Sequence, residues 1–182
     1  RIDTPIMEMR QHFNNPPQPS DPWRELKVLI HKETIKNIKI DEVNFEEIEP
    51  LVQKVIDNYI ESIGTLLPRN ERQKIVQEVI DEILGFGPIS SLLKDDNISE
   101  IMVNGPNQVY VERHGILELT NVTFNDDNHV QHIIEKIVAP IGRRIDESQP
   151  MVDARLPDGS RVNAIIPPLS LIGPTITIRK FS

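Results

Sequence analysis

Apolar residues recur every three or four positions in three stretches of the N-terminal half, the spacing of amphipathic helices. The first stretch covers residues 23–37, the second begins near Ile48 and ends near Ile63, and the third runs from Ile75 to Leu84. Short polar segments separate the three stretches. The pattern therefore predicts a three-helix bundle over residues 23–87. Residues 1–22 hold five prolines and little apolar periodicity, which indicates a flexible tail or linker.

Polar residues mark the boundaries expected for these helices. Asn44 and Glu47 have capping-box spacing ahead of the second helix, and Asn70 and Gln73 have the same spacing ahead of the third. Gly85 follows the last apolar position of the third stretch, where a glycine commonly ends a helix. We therefore expect the third helix to start beside Asn70 and to stop at Gly85.

The periodicity changes from helical to alternating after residue 88. A helix is predicted from about Asp126 to Ala139, where Pro140 ends it. Short connections between strands favour antiparallel pairing, so residues 88–182 are predicted to form an α+β sheet domain with flanking helices. The predicted strands are Glu100–Val103, Gln108–Arg113, Ile116–Val122 and three C-terminal strands within the segments MVDAR, RVN and TIRK.

Three arginines stand at equivalent places in the C-terminal strands. Side chains two positions apart share one face of a strand, so Arg155 shares a face with Asp153, Arg161 with Asn163, and Arg179 with two threonines. The alternate positions are apolar in all three strands. A sheet with an apolar back and three arginines on its front is suited to bind an anion, because arginine offers a planar fork of donors.

Composition narrows the function. The net charge of −8 argues against a nucleic-acid partner, although the segment from Arg143 onward has six Lys and Arg against four Asp and Glu. The chain has no cysteine and therefore no disulfide or thiolate metal site. No apolar run approaches the ~18 residues of a membrane span. The 38% of hydrophobic residues is enough for packed cores.

Other candidate chemistry is weak. No G-x-x-x-x-G-K-[ST] motif occurs, so the chain is not expected to hydrolyse nucleotide alone. His129 and His132 lie three apart on a helix without an obvious third ligand, and we expect a solvated surface there rather than a metal. The spacing also leaves open that the arginines merely balance nearby acids, namely Asp153, Asp158 and Glu147.

Several separated segments resemble one known family. EIMVNGPNQVYVERHG (Glu100–Gly115), IGRRIDESQPMVDARLPDGSRVNAIIPP (Ile141–Pro168) and TITIRKF (Thr175–Phe181) are similar to the N-terminal portion of the type II/type IV secretion ATPase superfamily. ILGFGPISSLLKDDNISEIMVNG (Ile83–Gly105) is most similar to the Flp, or tight-adherence, pilus assembly ATPases, called CpaF-like or TadA-like. The resemblance covers roughly residues 45–182 and depends on motifs in the same order.

The resemblance implies a helical bundle and a PAS-like sheet domain, followed in the full-length protein by a RecA-like ATPase domain that binds ATP and Mg. It implies a hexamer at the cytoplasmic face of the inner membrane, peripheral to it, that works with an inner-membrane platform protein to assemble pili or drive secretion. Arginines at the positions of Arg161 and Arg179 would reach nucleotide held by the ATPase domain. Arg155 faces the same way and is a third candidate without a family role.

The chain stops at Ser182, before the expected ATPase motifs. We therefore expect it to be an excised N-terminal region that is inactive as an ATPase and binds ATP weakly or not at all on its own. The alternative is a non-catalytic interaction module whose acidic bundle docks the membrane platform protein or neighbouring subunits, with the arginines only in inter-domain salt bridges. A ligand-sensing PAS-like domain would need a buried pocket, which the densely apolar strand faces argue against.

Overall fold

The computed structural model describes residues 22–37, 45–64 and 66–181. The first three helices of the described residues are α1 (Arg24–Lys36), α2 (Phe45–Ile63) and α3 (Arg69–Leu84). They pack on one another through ten buried apolar side chains, so the predicted bundle is confirmed. These residues are Ile30, Ile48, Val52, Val55, Ile56, Ile75, Val76, Val79, Ile80 and Ile83. The tail over residues 1–21 and the capping residue Asn44 lie outside the described residues.

The start of α3 differs from the prediction. Pro68 occupies the position before the helix, with φ −57° and ψ 145°, and its carbonyl accepts the first helical bond from the Arg72 N–H at 2.9 Å. Asn70 therefore lies inside the first turn, and the predicted capping box with Gln73 is wrong. A proline cannot donate a backbone hydrogen bond, so it suits a place where the helix has no intrahelical acceptor. The helix ends at Leu84, one residue before Gly85, as expected.

Six strands form one sheet in the order β3-β2-β1-β6-β5-β4, and every neighbouring pair is antiparallel. The strands are β1 (Ile98–Asn104), β2 (Val109–Arg113), β3 (Ile116–Leu119), β4 (Met151–Arg155), β5 (Arg161–Ile165) and β6 (Thr175–Arg179). β3 ends at Leu119 and is shorter than predicted; just beyond it, the Thr120 N–H and hydroxyl both donate to the Val109 carbonyl. The predicted α+β class with a mainly antiparallel sheet is confirmed.

Helices cover one face of this sheet. A 3₁₀ turn (Gly87–Ile89) leads into the short helix α4 (Ser90–Lys94), and the longer helix α5 (Asp127–Val138) follows β3. Asp126 caps α5 by accepting a 2.8 Å bond from the His129 N–H, near the predicted start. The apolar stripe of α5 joins the apolar strand side chains in a second buried cluster, separate from that of the bundle. The opposite face therefore remains the polar one that carries the arginines.

The described helices differ from membrane-spanning segments in length and hydropathy. None of them is both long enough and apolar enough to cross a bilayer.

Candidate functional site

Strand register brings the three arginines into one line across the sheet. Arg155 on β4 lies directly opposite Arg161 on β5, and Arg161 lies directly opposite Arg179 on β6. The line continues on β1, where Glu100 lies opposite Arg179. All three arginines are exposed. We call Arg155, Arg161 and Arg179 the arginine row.

A tight turn between β4 and β5 sets this register. The Leu156 N–H donates to the Ser160 carbonyl and the Gly159 N–H donates to the Leu156 carbonyl, both at 2.9 Å. Asp158 Oδ1 accepts a further bond from the Ser160 N–H at 2.9 Å. Gly159 has φ +90°, which favours glycine over residues with a Cβ. Arg155 and Arg161 are therefore held opposite each other by the predicted Pro-Asp-Gly turn chemistry.

The electrostatics of the arginine row are unfavourable in the absence of an anion. Like charges directly opposite on neighbouring strands destabilise a sheet. Of the three arginines, only Arg179 forms an ion pair with another described residue, from its Nε to Glu100 Oε1 at 3.0 Å. A negatively charged partner bound to the row would remove this repulsion.

The acids offered by the sequence as balancing charges do not pair with the row. Asp153 instead accepts a bond from Asn163 Nδ2 at 3.0 Å, and Asp158 is used in its own turn. Within the described residues no ion pair joins Glu147 to any of the three arginines. The charge-balance interpretation therefore does not hold for Arg155 and Arg161, and for Arg179 it holds with a different acid, Glu100. Sequence reasoning missed Glu100 because no local pattern links β1 to β6.

The spacing of the row suits a compact anion. Neighbouring strands lie about 4.8 Å apart, so the Cα atoms of the three arginines extend over roughly 10 Å across the sheet. Arginine offers several donors in a fixed fork that can meet two oxygens of one phosphate or carboxylate. Neighbouring members of the row can therefore contact one anionic group or two adjacent groups.

A second pair of arginines lies at the outer edge of β4. A cleft of about 540 Å³ is bordered by Arg143, Arg144 and Gln149 together with the start of the strand. Arg143 donates to the Asp153 carbonyl at 2.7 Å and so covers part of the sheet edge. Arg144 is 86% exposed and lies 3.6 Å from an oxygen of Asp146. These residues border the site without belonging to the arginine row.

A polar seam joins the bundle to the sheet region. His129 Nε2 lies 2.7 Å from Glu82 Oε1, and the Asn125 N–H donates to His129 Nδ1 at 3.0 Å. With Nδ1 accepting, Nε2 carries the proton and donates to the Glu82 carboxylate. The side chain of His129 is 12% exposed and its ring meets Phe124 edge-on at 5.1 Å. The expectation of a solvated surface was therefore wrong for His129, whereas His132 is exposed as expected.

Lys136 completes this seam. Its Nζ donates to the Glu82 carbonyl at 2.6 Å and to the Ile83 carbonyl at 3.3 Å, at the C-terminal end of α3. These carbonyls have no intrahelical partner, and a cation there also interacts favourably with the helix dipole. Burial lowers the pKa of Lys136, and burial likewise lowers the pKa of His31 on the facing helix α1. In the described part of the chain, no cluster of three or more metal-binding side chains occurs at this seam or elsewhere.

Comparison with known proteins places this region among secretion proteins. A model of the family described as "Type II/IV secretion system protein" matches residues 82–182. An uncharacterized protein of Methanocaldococcus jannaschii is 48% identical over 100 residues, which are 53% of this chain and 14% of that protein. The type IV secretion system protein VirB11 of Bartonella henselae is 38% identical over 85 residues, covering 44% of this chain and 23% of that protein.

Part of the chain is also similar to a solved structure. The crystal structure of the VirB11 ATPase from the Brucella suis type IV secretion system, in complex with sulphate, has a TM-score of 0.49 and 30% identity. The matched region covers 52% of this chain and 30% of the Brucella suis VirB11 chain. The chain thus spans much less than two thirds of the length of these three proteins. Because the family model matches more than half of its residues, the chain belongs to the type II/IV secretion system protein family.

Proposed function

We propose that this chain is the N-terminal regulatory and assembly region of a secretion ATPase, and that Arg161 and Arg179 contact nucleotide bound by an ATPase domain of the full-length protein. The observation that carries the proposal is the arginine row, in which like charges oppose one another across three strands while two of the three lack a carboxylate partner among the described residues. Membership of the secretion family supports it.

The row would act as a sensor of the terminal phosphate. Bound ATP would supply the negative charge that the row contacts. The Mg ion bound with ATP would be held by residues outside the described ones. Loss of the terminal phosphate would remove charge-assisted hydrogen bonds from Arg161 and Arg179. The sheet region would then shift relative to the ATPase domain, because a ligand moves an equilibrium by its differential affinity for two states. Arg155 is the third candidate contact.

The finer biological role belongs to the same proposal. The Flp pilus resemblance favours a hexameric motor that drives pilus assembly at the cytoplasmic face of the inner membrane, with a platform protein as its partner. Residues 23–87 and 88–182 would act as separate domains of that motor, the second of them PAS-like. The two separate buried clusters support this division.

The test replaces Arg161 and Arg179 by alanine, one at a time, in the full-length protein. Each variant is expected to lose about tenfold or more in the preference for ATP over ADP, because hydrogen bonds to charged groups contribute about 1.5–3 kcal/mol each. ATP turnover and piliation should fall in parallel. Arg144→Ala is the matched control, since it removes an exposed arginine of the same region outside the row. Unchanged turnover and piliation in both row variants would refute the sensor.

The alternative function, a protein-interaction module, would use the acidic surface of helix α2. Helix α2 exposes acidic side chains at Glu46, Glu49, Asp57 and Glu61, and such a surface suits a basic segment of a platform protein. In that case, replacing these acids by glutamine or asparagine would abolish assembly while row variants remained active. The same piliation assay therefore separates the two functions.

A further inference from the structure

The contact between Glu100 and Arg179 uses only part of the arginine. An arginine has one N–H at Nε and two on each terminal nitrogen. The bond of 3.0 Å joins Nε to Glu100 Oε1, and the described residues make no hydrogen bond to the two terminal nitrogens. The fork that binds phosphate therefore remains available. The side chain of Arg179 is 76% exposed, whereas that of Glu100 is 24% exposed.

Glu100 is well placed to anchor its partner. It lies on β1, an interior strand with β2 on one side and β6 on the other. A long exposed side chain is normally free to adopt many rotamers, and that freedom is lost when a ligand immobilises it. The Glu100 carboxylate already holds Arg179 Nε. Arg179 therefore has less rotamer freedom left to lose when a ligand binds. The guanidinium is thereby presented with its terminal nitrogens unengaged.

We infer that Glu100 is a positioning residue that orients Arg179 for the terminal phosphate of a nucleotide. This inference rests on the proposed function of Arg179. Glu100 also has an opposing effect, because its negative charge repels a phosphate. Truncation of the Glu100 side chain to alanine therefore weakens binding if orientation dominates and strengthens binding if charge dominates, so the sign of the change decides between the two effects.

The experiment measures affinity for ATPγS and for ADP in the full-length protein. Glu100→Ala is expected to lower the ATPγS-to-ADP preference about 3- to 10-fold, the cost of immobilising one additional flexible side chain. Glu100→Gln keeps an oxygen acceptor at the same place and should retain most of the preference. Glu112→Gln is the matched control, because Glu112 lies opposite Glu100 in the same line but makes no ion pair with Arg179. It should not weaken binding.

A double variant tests whether Glu100 acts through Arg179. In the Arg179→Ala background, Glu100→Ala should produce no additional loss. Tighter ATPγS binding by Glu100→Ala, or a loss that persists without Arg179, would overturn the inference. If Glu100→Ala does not fold, Glu100→Asp supplies the test, since it keeps the charge but withdraws it by one methylene and should still weaken binding.

The positioning role of Glu100 and the proposed function of Arg179 can be refuted separately. A loss of preference in Arg179→Ala together with no change in Glu100→Ala would overturn only the positioning role. No change in Arg179→Ala would overturn the proposed function, and the positioning role with it. Urea unfolding midpoints of all variants separate an effect on binding from an effect on folding.

Discussion

Replacing the central member of the arginine row should make the protein more stable. Arg161 has a like-charged residue directly opposite it on each side, Arg155 and Arg179. An unfavourable cross-strand pair costs about 0.2–1 kcal/mol, and exposure to solvent places each pair in the lower part of that range. Arg161→Gln relieves both pairs while it keeps a long polar side chain. We therefore expect the free energy of unfolding to rise by about 0.5–1 kcal/mol.

Urea unfolding of the 182-residue chain at low and high salt is the assay. The Debye length falls from about 10 Å at 0.1 M to about 3 Å at 1 M salt, so the gain should shrink as salt is added. Arg161→Lys keeps the charge and should show little gain. A variant that is less stable than the wild type at low salt, or a gain that salt does not change, would refute the charge-repulsion argument. The anion site proposed at the arginine row would then lose its main support.

Two further predictions concern the polar seam. Lys136→Met keeps the length of the side chain but leaves the carbonyls of Glu82 and Ile83 without their donor. The free energy of unfolding should therefore fall by about 1–3 kcal/mol. A fall of under about 0.5 kcal/mol would contradict the capping role. Burial lowers the pKa of His31, so the unfolded state binds a proton at this residue more readily than the folded state does. Stability should therefore fall as the pH drops below the ordinary histidine pKa of about 6.5. His31→Gln should therefore reduce the loss of stability between pH 7 and pH 5, measured as the shift in urea midpoint, and an unchanged slope would contradict this origin.

Local patterns were sufficient for most of the secondary structure. Helical spacing of apolar residues predicted α1, α2, α3 and α5, and alternation predicted the strands, because each pattern reports which face of an element is buried. The same alternation correctly placed Arg155, Arg161 and Arg179 on the face opposite the apolar side chains. The start of α3 was misplaced because the capping-box spacing pointed to Asn70, whereas the helix begins after Pro68, whose missing N–H needs no acceptor there.

Long-range pairing decided what the sequence alone could not. Arg179 meets Glu100 across 79 residues because β1 pairs with β6, and His129 meets Glu82 across 47 residues because α5 packs beside the end of α3. Cross-strand and inter-helix partners depend on strand order and register, which local spacing does not encode. The sequence by itself therefore determined the elements, their buried faces and three outward-facing arginines. Only the tertiary structure aligned those arginines in one row and placed a carboxylate at its end.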